Sequence, residues 1–256
     1  MPPGITITNA EDFNAPFGPP VVQVSNAETE LIAAAAAKGR EATVVAHCEH
    51  IDAKGINVGA TIHGSNPGLA PLVIMTPRSG WWSCASERGG GIAAWLEMMR
   101  AISGAGAERD VIFTANTGHE LGHIGLDHYL DARGALIKAA HMWIHLGANF
   151  ATAVSPGIAI QSSDAPARRL ALDVLSRGRL KPDAETEPGQ RPLGEARNIY
   201  DGGGRYISLL GRNGLFHHPA DVWPDAVDLE KTTRWVAAFT DIAVRLSKQI
   251  KGDDSL

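Results

Sequence analysis

Two apolar rhythms share the chain. Short runs with every residue or every second residue apolar recur as Val21-Val-Gln-Val24, Thr43-Val-Val-Ala46, Asn57-Val-Gly-Ala-Thr-Ile62, Leu72-Val-Ile-Met75, 110–115, Met142-Trp-Ile-His-Leu146, Ile158-Ala-Ile160 and Tyr206-Ile-Ser-Leu-Leu210. They have the length and period of strands. Between them lie stretches with the wider spacing of helices. One runs from Ala27 to Lys38, opened by a Ser25/Glu28 capping box and stopped at Gly39. Others are Ile92–Ile102 with Trp95, Leu96 and Met99 on one side, Leu136–Ala140, Ala165–Ser176 and a closing helix of about Leu229–Ile250. Strands alternating with helices predict an α/β fold, a three-layer sandwich with a mostly parallel, mixed central sheet. The runs near 57–62, 72–75, 110–115, 142–146 and 206–210 are expected in one sheet with helices on both faces. Residues 1–19, 76–91 and 178–197 are expected to be irregular. The second of these is a loop with Trp81, Trp82, Arg78, Glu87, Arg88 and three glycines, a composition more suited to function than to packing.

The apolar run Val111-Ile-Phe113 feeds a stretch ending at His128 that holds His119, Glu120, His123 and His128 among glycines. Polar groups where a strand runs into a helix are where open α/β sheets put ligand sites. Read literally, His119-Glu120-Leu121-Gly122-His123 is also the His-Glu-x-x-His zinc signature, in which both histidines ligate from one helix. Gly118, Gly122 and Gly125 make that helix a poor one, and the extended form of the motif misses its later Gly and His by one residue.

Composition narrows the partners. At 256 residues the chain is one large domain, or a domain with a small companion, and its 44% apolar content is that of a globular protein. A net charge of −5 gives no footprint for nucleic acid. No run approaches the ~18 apolar residues of a membrane span, and Met1-Pro-Pro-Gly4 lacks signal-peptide order. Cys48 and Cys84 cannot form a disulfide framework or a cysteine-rich zinc site, so a cytoplasmic protein with free thiols is expected.

Four pieces, in order, resemble the catalytic domain of the di-zinc aminopeptidases, the bacterial leucyl aminopeptidase and aminopeptidase Y type with glutaminyl cyclase as a relative. Asn57-Val-Gly-Ala-Thr-Ile-His-Gly64 is similar to the family's "NVIATIxG" strand. Ser86-Glu-Arg-Gly-Gly-Gly91 with Ile92-Ala-Ala-Trp-Leu-Glu97 is similar to "DNASG" and "vaalLE". Gly118-His-Glu-Leu-Gly-His-Ile-Gly125 is similar to "GEExGLxG", and His217-His-Pro-Ala-Asp221 with Val227-Asp228 to "HTPxDtxdxvd". The resemblance covers about residues 55–250. It implies an aminopeptidase-like domain at 55–256, with 1–54 resembling the end of a protease-associated insert.

The departures bear on the metal. Where the resemblance implies the first His and its Asp partner, this chain has Thr76 and Arg78; the bridging Asp falls on Glu87, the Glu-Glu pair on His119-Glu120, the late Asp on Gly147 and the late His on His217. One zinc would lose its private ligands. The other would keep Glu87, Glu120 and His217, two oxygens and a nitrogen with an open position. The family's base would be His119, a competent base near neutral pH. Arg78 stands free to replace the missing zinc's charge or to clamp a substrate anion, and Trp81, Trp82 and Arg88 of the same loop are expected to bind substrate beside it. Glu87 has a rival reading as the salt-bridge partner of Arg88 or Arg78. His123 reads as a core or supporting residue, His128, His141 and His145 as structural histidines. Cys84 has no partner that the sequence orients as a base.

The expected function is a metal-dependent hydrolase of an amide bond in a peptide-like or N-acyl substrate, with one zinc. The alternative is a metal-free pseudoenzyme of the same fold that binds or assembles. The partner is a small or peptide-like molecule; a homo-oligomer is left open.

Overall fold

The computed structural model describes residues 2–10, 20–47, 49 and 51–249. Cys48 and the expected end of the last helix at Ile250 lie outside them. In chain order the elements are α1 (Thr29–Ala37), β1 (Val58–Ile62), β2 (Leu72–Pro77), α2 (Ala85–Ala105), β3 (Val111–Asn116), α3 (Ile124–Asp131), α4 (Leu136–Ala139), β4 (Met142–Leu146), β5 (Gly157–Ser162), α5 (Ala165–Arg177), β6 (Ala184–Thr186), α6 (Ala196–Asp201), β7 (Tyr206–Arg212) and α7 (Leu229–Lys248). The strands form a seven-stranded sheet in the order β1-β3-β2-β4-β7-β5-β6. β3, β2, β4 and β7 run parallel, and β1 and β5 are antiparallel to their neighbours β3 and β7.

Alternation along the buried strands builds the two outer layers. Leu72, Ile74, Phe113 and Ile144 point to a core shared with Trp95 and Met98 of α2, Leu170 and Val174 of α5, and Phe239 and Ile242 of α7. Val73, Met75 and Trp143 point the other way, to Leu126 of α3 and Ile199 of α6. Caps fix the helix starts. Asp164 accepts from Ala167 N at 2.9 Å ahead of α5, and Asp228 accepts from Lys231 N at 2.9 Å ahead of α7.

Three expectations are corrected. Val21–Val24 and Thr43–Ala46 are not strands: Val22, Val44 and Val45 are exposed, and among the described residues neither run enters a backbone ladder, without which an apolar run is not a stable strand. Between residues 20 and 47 no described residue is buried. The expected loop 76–91 is a loop only over residues 78–84, because Thr76 and Pro77 end β2 and Gly89, Gly90 and Gly91 lie inside α2. Gly90 and Gly91 lack side chains where α2 comes close to the strand ends, whereas Gly89 faces open space. A Cβ on Gly91 would stand 2.7 Å from Thr76 Oγ1, and one on Gly90 2.7 Å from Ala151 Cβ. The 178–197 stretch, expected as surface, contributes β6, the start of α6 and the buried Glu195. Among the described residues no helix is long and apolar enough to cross a membrane.

Candidate functional site

Because β3, β2, β4 and β7 are adjacent and parallel, the loops after them open on one edge of the sheet, where such sheets gather ligands. The loop after β2 carries Ser79, Trp81 and Cys84 and leads into α2 with Glu87 and Arg88. The loop after β3 carries His119 and Glu120 in a short 3-10 turn, His119–Leu121. The loop after β4 carries Asn149, and that after β7 carries His217 and Asp221. Trp82, Cys84, His123, Asn149 and His217 all have positive φ. Left-handed backbone at bulky residues is held only by its surroundings, and it clusters at sites.

The start of α2 is held from far along the chain. Asp221 accepts from Ser86 N at 2.8 Å and from Glu87 N at 3.0 Å, one carboxylate oxygen each. Asn149 N donates to Glu87 O at 3.0 Å. Glu87 and Arg88 are thereby fixed under the cleft. Arg88 is the hub of a buried polar cluster. Its Nε donates to Ser79 O at 2.7 Å and its Nη2 to Glu120 Oε1 at 2.7 Å, while Nη2 also lies 2.9 Å from Glu87 Oε1. The three side chains are 3%, 5% and 0% exposed for Arg88, Glu120 and Glu87. Ser79 Oγ donates to Glu120 Oε2 at 2.6 Å and accepts from His119 N at 3.1 Å. Burial pushes the Glu120 carboxyl up, but Arg88 and these hydrogen bonds outweigh it and hold it below the usual carboxylate range. His217 Nδ1 donates to Ile7 O at 2.6 Å, which turns Nε2 toward Glu87 Oε1 at 3.4 Å.

A second pair sits beside this cluster. His119 Nδ1 is 3.2 Å from Glu195 Oε1, and its ring stacks on His123 at 4.6 Å between centroids. His123 Nδ1 contacts Asn198 Oδ1 at 2.8 Å. Burial, then the nearby Arg88, drives His119 down to about 3, so it is neutral at pH 7. Burial lifts Glu195 to about 7. With Glu195 ionised, Nδ1–H points to Glu195 and leaves Nε2 as a free acceptor. No sequence signal marks Glu195: it stands in a Pro- and Gly-rich stretch, 76 residues from His119.

This pair predicts a pH dependence. The folded state keeps the Glu195 proton up to about pH 7, whereas the unfolded chain releases it near 4.5. The folded state therefore binds more protons in that window, and stability falls as pH rises through it, by about 3 kcal/mol for a shift of this size. His119 works in the opposite sense between pH 3 and 6.5, where the unfolded chain is the more protonated. Glu195→Gln keeps the acceptor for Nδ1–H and removes the titration. Its stability relative to the parent should grow from pH 5 to pH 8 in urea unfolding; an unchanged difference would contradict the buried carboxyl.

The structure brings Glu87, Arg88, His119, Glu120 and His217 together. It leaves Arg78 out: that side chain is exposed and donates to Ile56 O at 2.5 Å. The cation among the carboxylates is Arg88 in its place. Arg88 itself, expected to face substrate, is turned inward onto Glu87 and Glu120. Trp82 is half exposed with positive φ, and Trp81 is half buried, its Nε1 donating to Asn9 Oδ1 at 3.0 Å. His119 and His123 do not share a helix, because Gly122 and His123 are both left-handed between the 3-10 turn and α3; this removes the His-Glu-x-x-His reading. The Cys84 thiol is pushed up to about 11 by burial and the nearby Glu87, so it is not a nucleophile at pH 7.

A zinc ion does not fit this arrangement. Arg88 Nη2 stands where Glu87 and Glu120 would share a metal. Thr76 Oγ1 is committed to Leu146 O at 2.8 Å. A side chain at Gly147 would meet Leu210 Cδ1 at 2.7 Å and His145 Cε1 at 2.9 Å. Among the described residues no group of three His, Cys, Asp or Glu side chains could hold a metal.

Above the cluster lies a cavity of about 490 Å³. His119, His123, Arg197 and His217 line it together with Thr6–Ala10.

No protein-family profile matches the sequence, nor does any curated protein. The fold does match solved structures. A peptidase M28 precursor from Shewanella amazonensis superposes with a TM-score of 0.69 at 17% identity, over 91% of this chain and 55% of that one. A zinc aminopeptidase from Bacillus subtilis gives 0.66 at 15% identity, over 78% and 52%. An aminopeptidase from Aneurinibacillus gives 0.64 at 17%, over 75% and 47%. The chain spans about half the length of each. At this divergence the likeness speaks for the fold: the chain is a divergent α/β protein with the fold of the zinc aminopeptidases.

Proposed function

We propose that this chain is a metal-free protein of the aminopeptidase fold that binds a peptide-like ligand in the cleft above Arg88. One observation carries the reading: the Arg88 guanidinium lies 2.7 Å from Glu120 Oε1 and 2.9 Å from Glu87 Oε1, bridging the two carboxylates that the resemblance gives to a metal. A guanidinium neutralises them without Lewis acidity and without an exchangeable water. The cavity wall then supplies recognition groups: neutral His119 as acceptor, Arg197 as a cation for a ligand carboxylate, and the His217 main chain. Peptide-like ligands follow from the peptidases whose fold the chain shares. A zinc-dependent hydrolase with one ion, the function implied by the resemblance, requires Arg88 to leave.

A second reading is favoured by the His119–Glu195 pair: hydrolysis without metal, His119 as base and Glu195 fixing its tautomer. A panel of aminoacyl and N-acyl amides separates the three. The leading reading predicts no turnover with or without zinc. Turnover blind to chelators and lost in His119→Ala supports the second. Turnover abolished by chelator and restored by zinc contradicts both.

A further inference from the structure

The N-terminal segment lies along the cavity without joining the sheet. Ile5, Ile7 and Asn9 are half buried while Thr6 and Thr8 are exposed, the two-residue period of a β-conformation. Ile7 and His217 form a reciprocal pair: Ile7 N donates to His217 O at 3.4 Å, and His217 Nδ1 donates to Ile7 O at 2.6 Å. Ala10 N donates to Glu120 O at 2.8 Å. Asn9 takes the Trp81 indole N–H, and Gly4 lies against His218 so closely that a Cβ there would stand 2.4 Å from Nε2. The segment thus touches the loops after β2, β3 and β7, and most of what the cleft reads in it is main chain.

We propose that the cleft is a groove for an extended peptide backbone, and that residues 4–10 of this chain are its resident occupant. The proposal rests on the reading of the site as a peptide-binding cleft and names its ligand class: an unstructured segment with free main-chain amides, a small residue at the His218 end and β-branched or small residues over His217. Of this segment only Ala10 is buried, and each hydrogen bond is worth about 1 kcal/mol net, so the contact is weak. It persists because the segment is tethered, at an effective concentration of about millimolar, and because Asn26 Oδ1 accepts from Gly4 N at 2.9 Å and Gln23 Oε1 from Thr8 N at 3.2 Å on its outer side. An outside peptide must compete with that tether, and the tethered strand keeps weak ligands out.

The test uses the full chain and two variants that unseat the strand by different means. Gly4→Val drives a side chain into the buried His218 ring, and Ala10→Pro deletes the N–H that Glu120 O accepts. The probe is a fluorescein-labelled synthetic peptide of residues 2–10, followed by fluorescence anisotropy. A second probe carries N-methyl groups on Ile7 and Ala10. Amide exchange at Ile7 should be protected in the parent and fast in both variants. Both variants should bind the first peptide at least tenfold tighter than the parent and should not bind the methylated one. Equal affinity in parent and variants, no saturable binding to either variant, or undiminished protection of Ile7 in both would each overturn the proposal. Zinc is counted in the same samples. Zinc at one per chain with peptide binding intact defeats the metal-free reading and spares the groove; zinc absent without peptide binding does the reverse.

Discussion

Arg88→Ala should lose about 3–5 kcal/mol of stability in chelator, the cost of stripping the partner from buried charges. Glu87 and Glu120 would then face each other with no cation between them, at side chains almost without solvent. The same variant should gain what the parent lacks. Freed of Arg88, the two carboxylates would have to close toward the His217 Nε2, whose Nδ1 is already fixed by Ile7 O, to offer the two oxygens and one nitrogen that their present positions do not. Zinc should therefore raise the melting temperature of Arg88→Ala in a concentration-dependent way and leave the parent unmoved. Thermal unfolding with and without zinc reads both effects. A variant as stable as the parent and indifferent to zinc would mean that Arg88 does not hold the carboxylates.

Asp221→Ala should be nearly as severe, at about 3 kcal/mol. Its two oxygens satisfy the Ser86 and Glu87 amides at the open end of the helix ladder, in a site where Asp221 is 1% exposed. Each buried amide left without an acceptor costs about 1–3 kcal/mol. The preceding residue cannot substitute, because Cys84 is left-handed and makes no side-chain cap. Asp221→Asn keeps one acceptor and should recover about half of the loss. Urea unfolding of both variants checks this, and fast exchange at the Glu87 amide should accompany the loss. A neutral Asp221→Ala would mean that α2 is anchored elsewhere.

The layers of the fold are legible in the sequence because they rest on periodicity. The fully buried Leu72–Met75 and Met142–Leu146 runs and the amphipathic α5 and α7 announce themselves locally. The apolar runs at Val21 and Val44 mislead, since a strand needs a partner that pattern does not display. In the site, the residues quoted for the resemblance, Glu87, Glu120 and His217, lie together, but the resemblance is silent on the residue that joins them. The sequence admits Arg88 as a partner for Glu87, yet it points to Arg78 for the missing charge. Which arginine turns inward depends on α2 beginning at Ala85, and that depends on an aspartate 135 residues away. Glu195 is hidden for a similar reason: its burial comes from the fold of a stretch whose composition reads as surface. The N-terminal segment reads as irregular because its order comes from distant partners, the cleft on one side and Gln23 and Asn26 on the other.

A guanidinium standing in the place of a metal between Glu87 and Glu120 leaves no room for a resident ion. Zinc counted per chain, by plasma mass spectrometry on untagged protein purified without chelator, puts this to the test. No stoichiometric zinc is expected in the parent chain, before or after dialysis against micromolar zinc. One tightly held zinc per chain, lost in Glu120→Ala, would show instead that the carboxylates serve a metal and that Arg88 gives way to it.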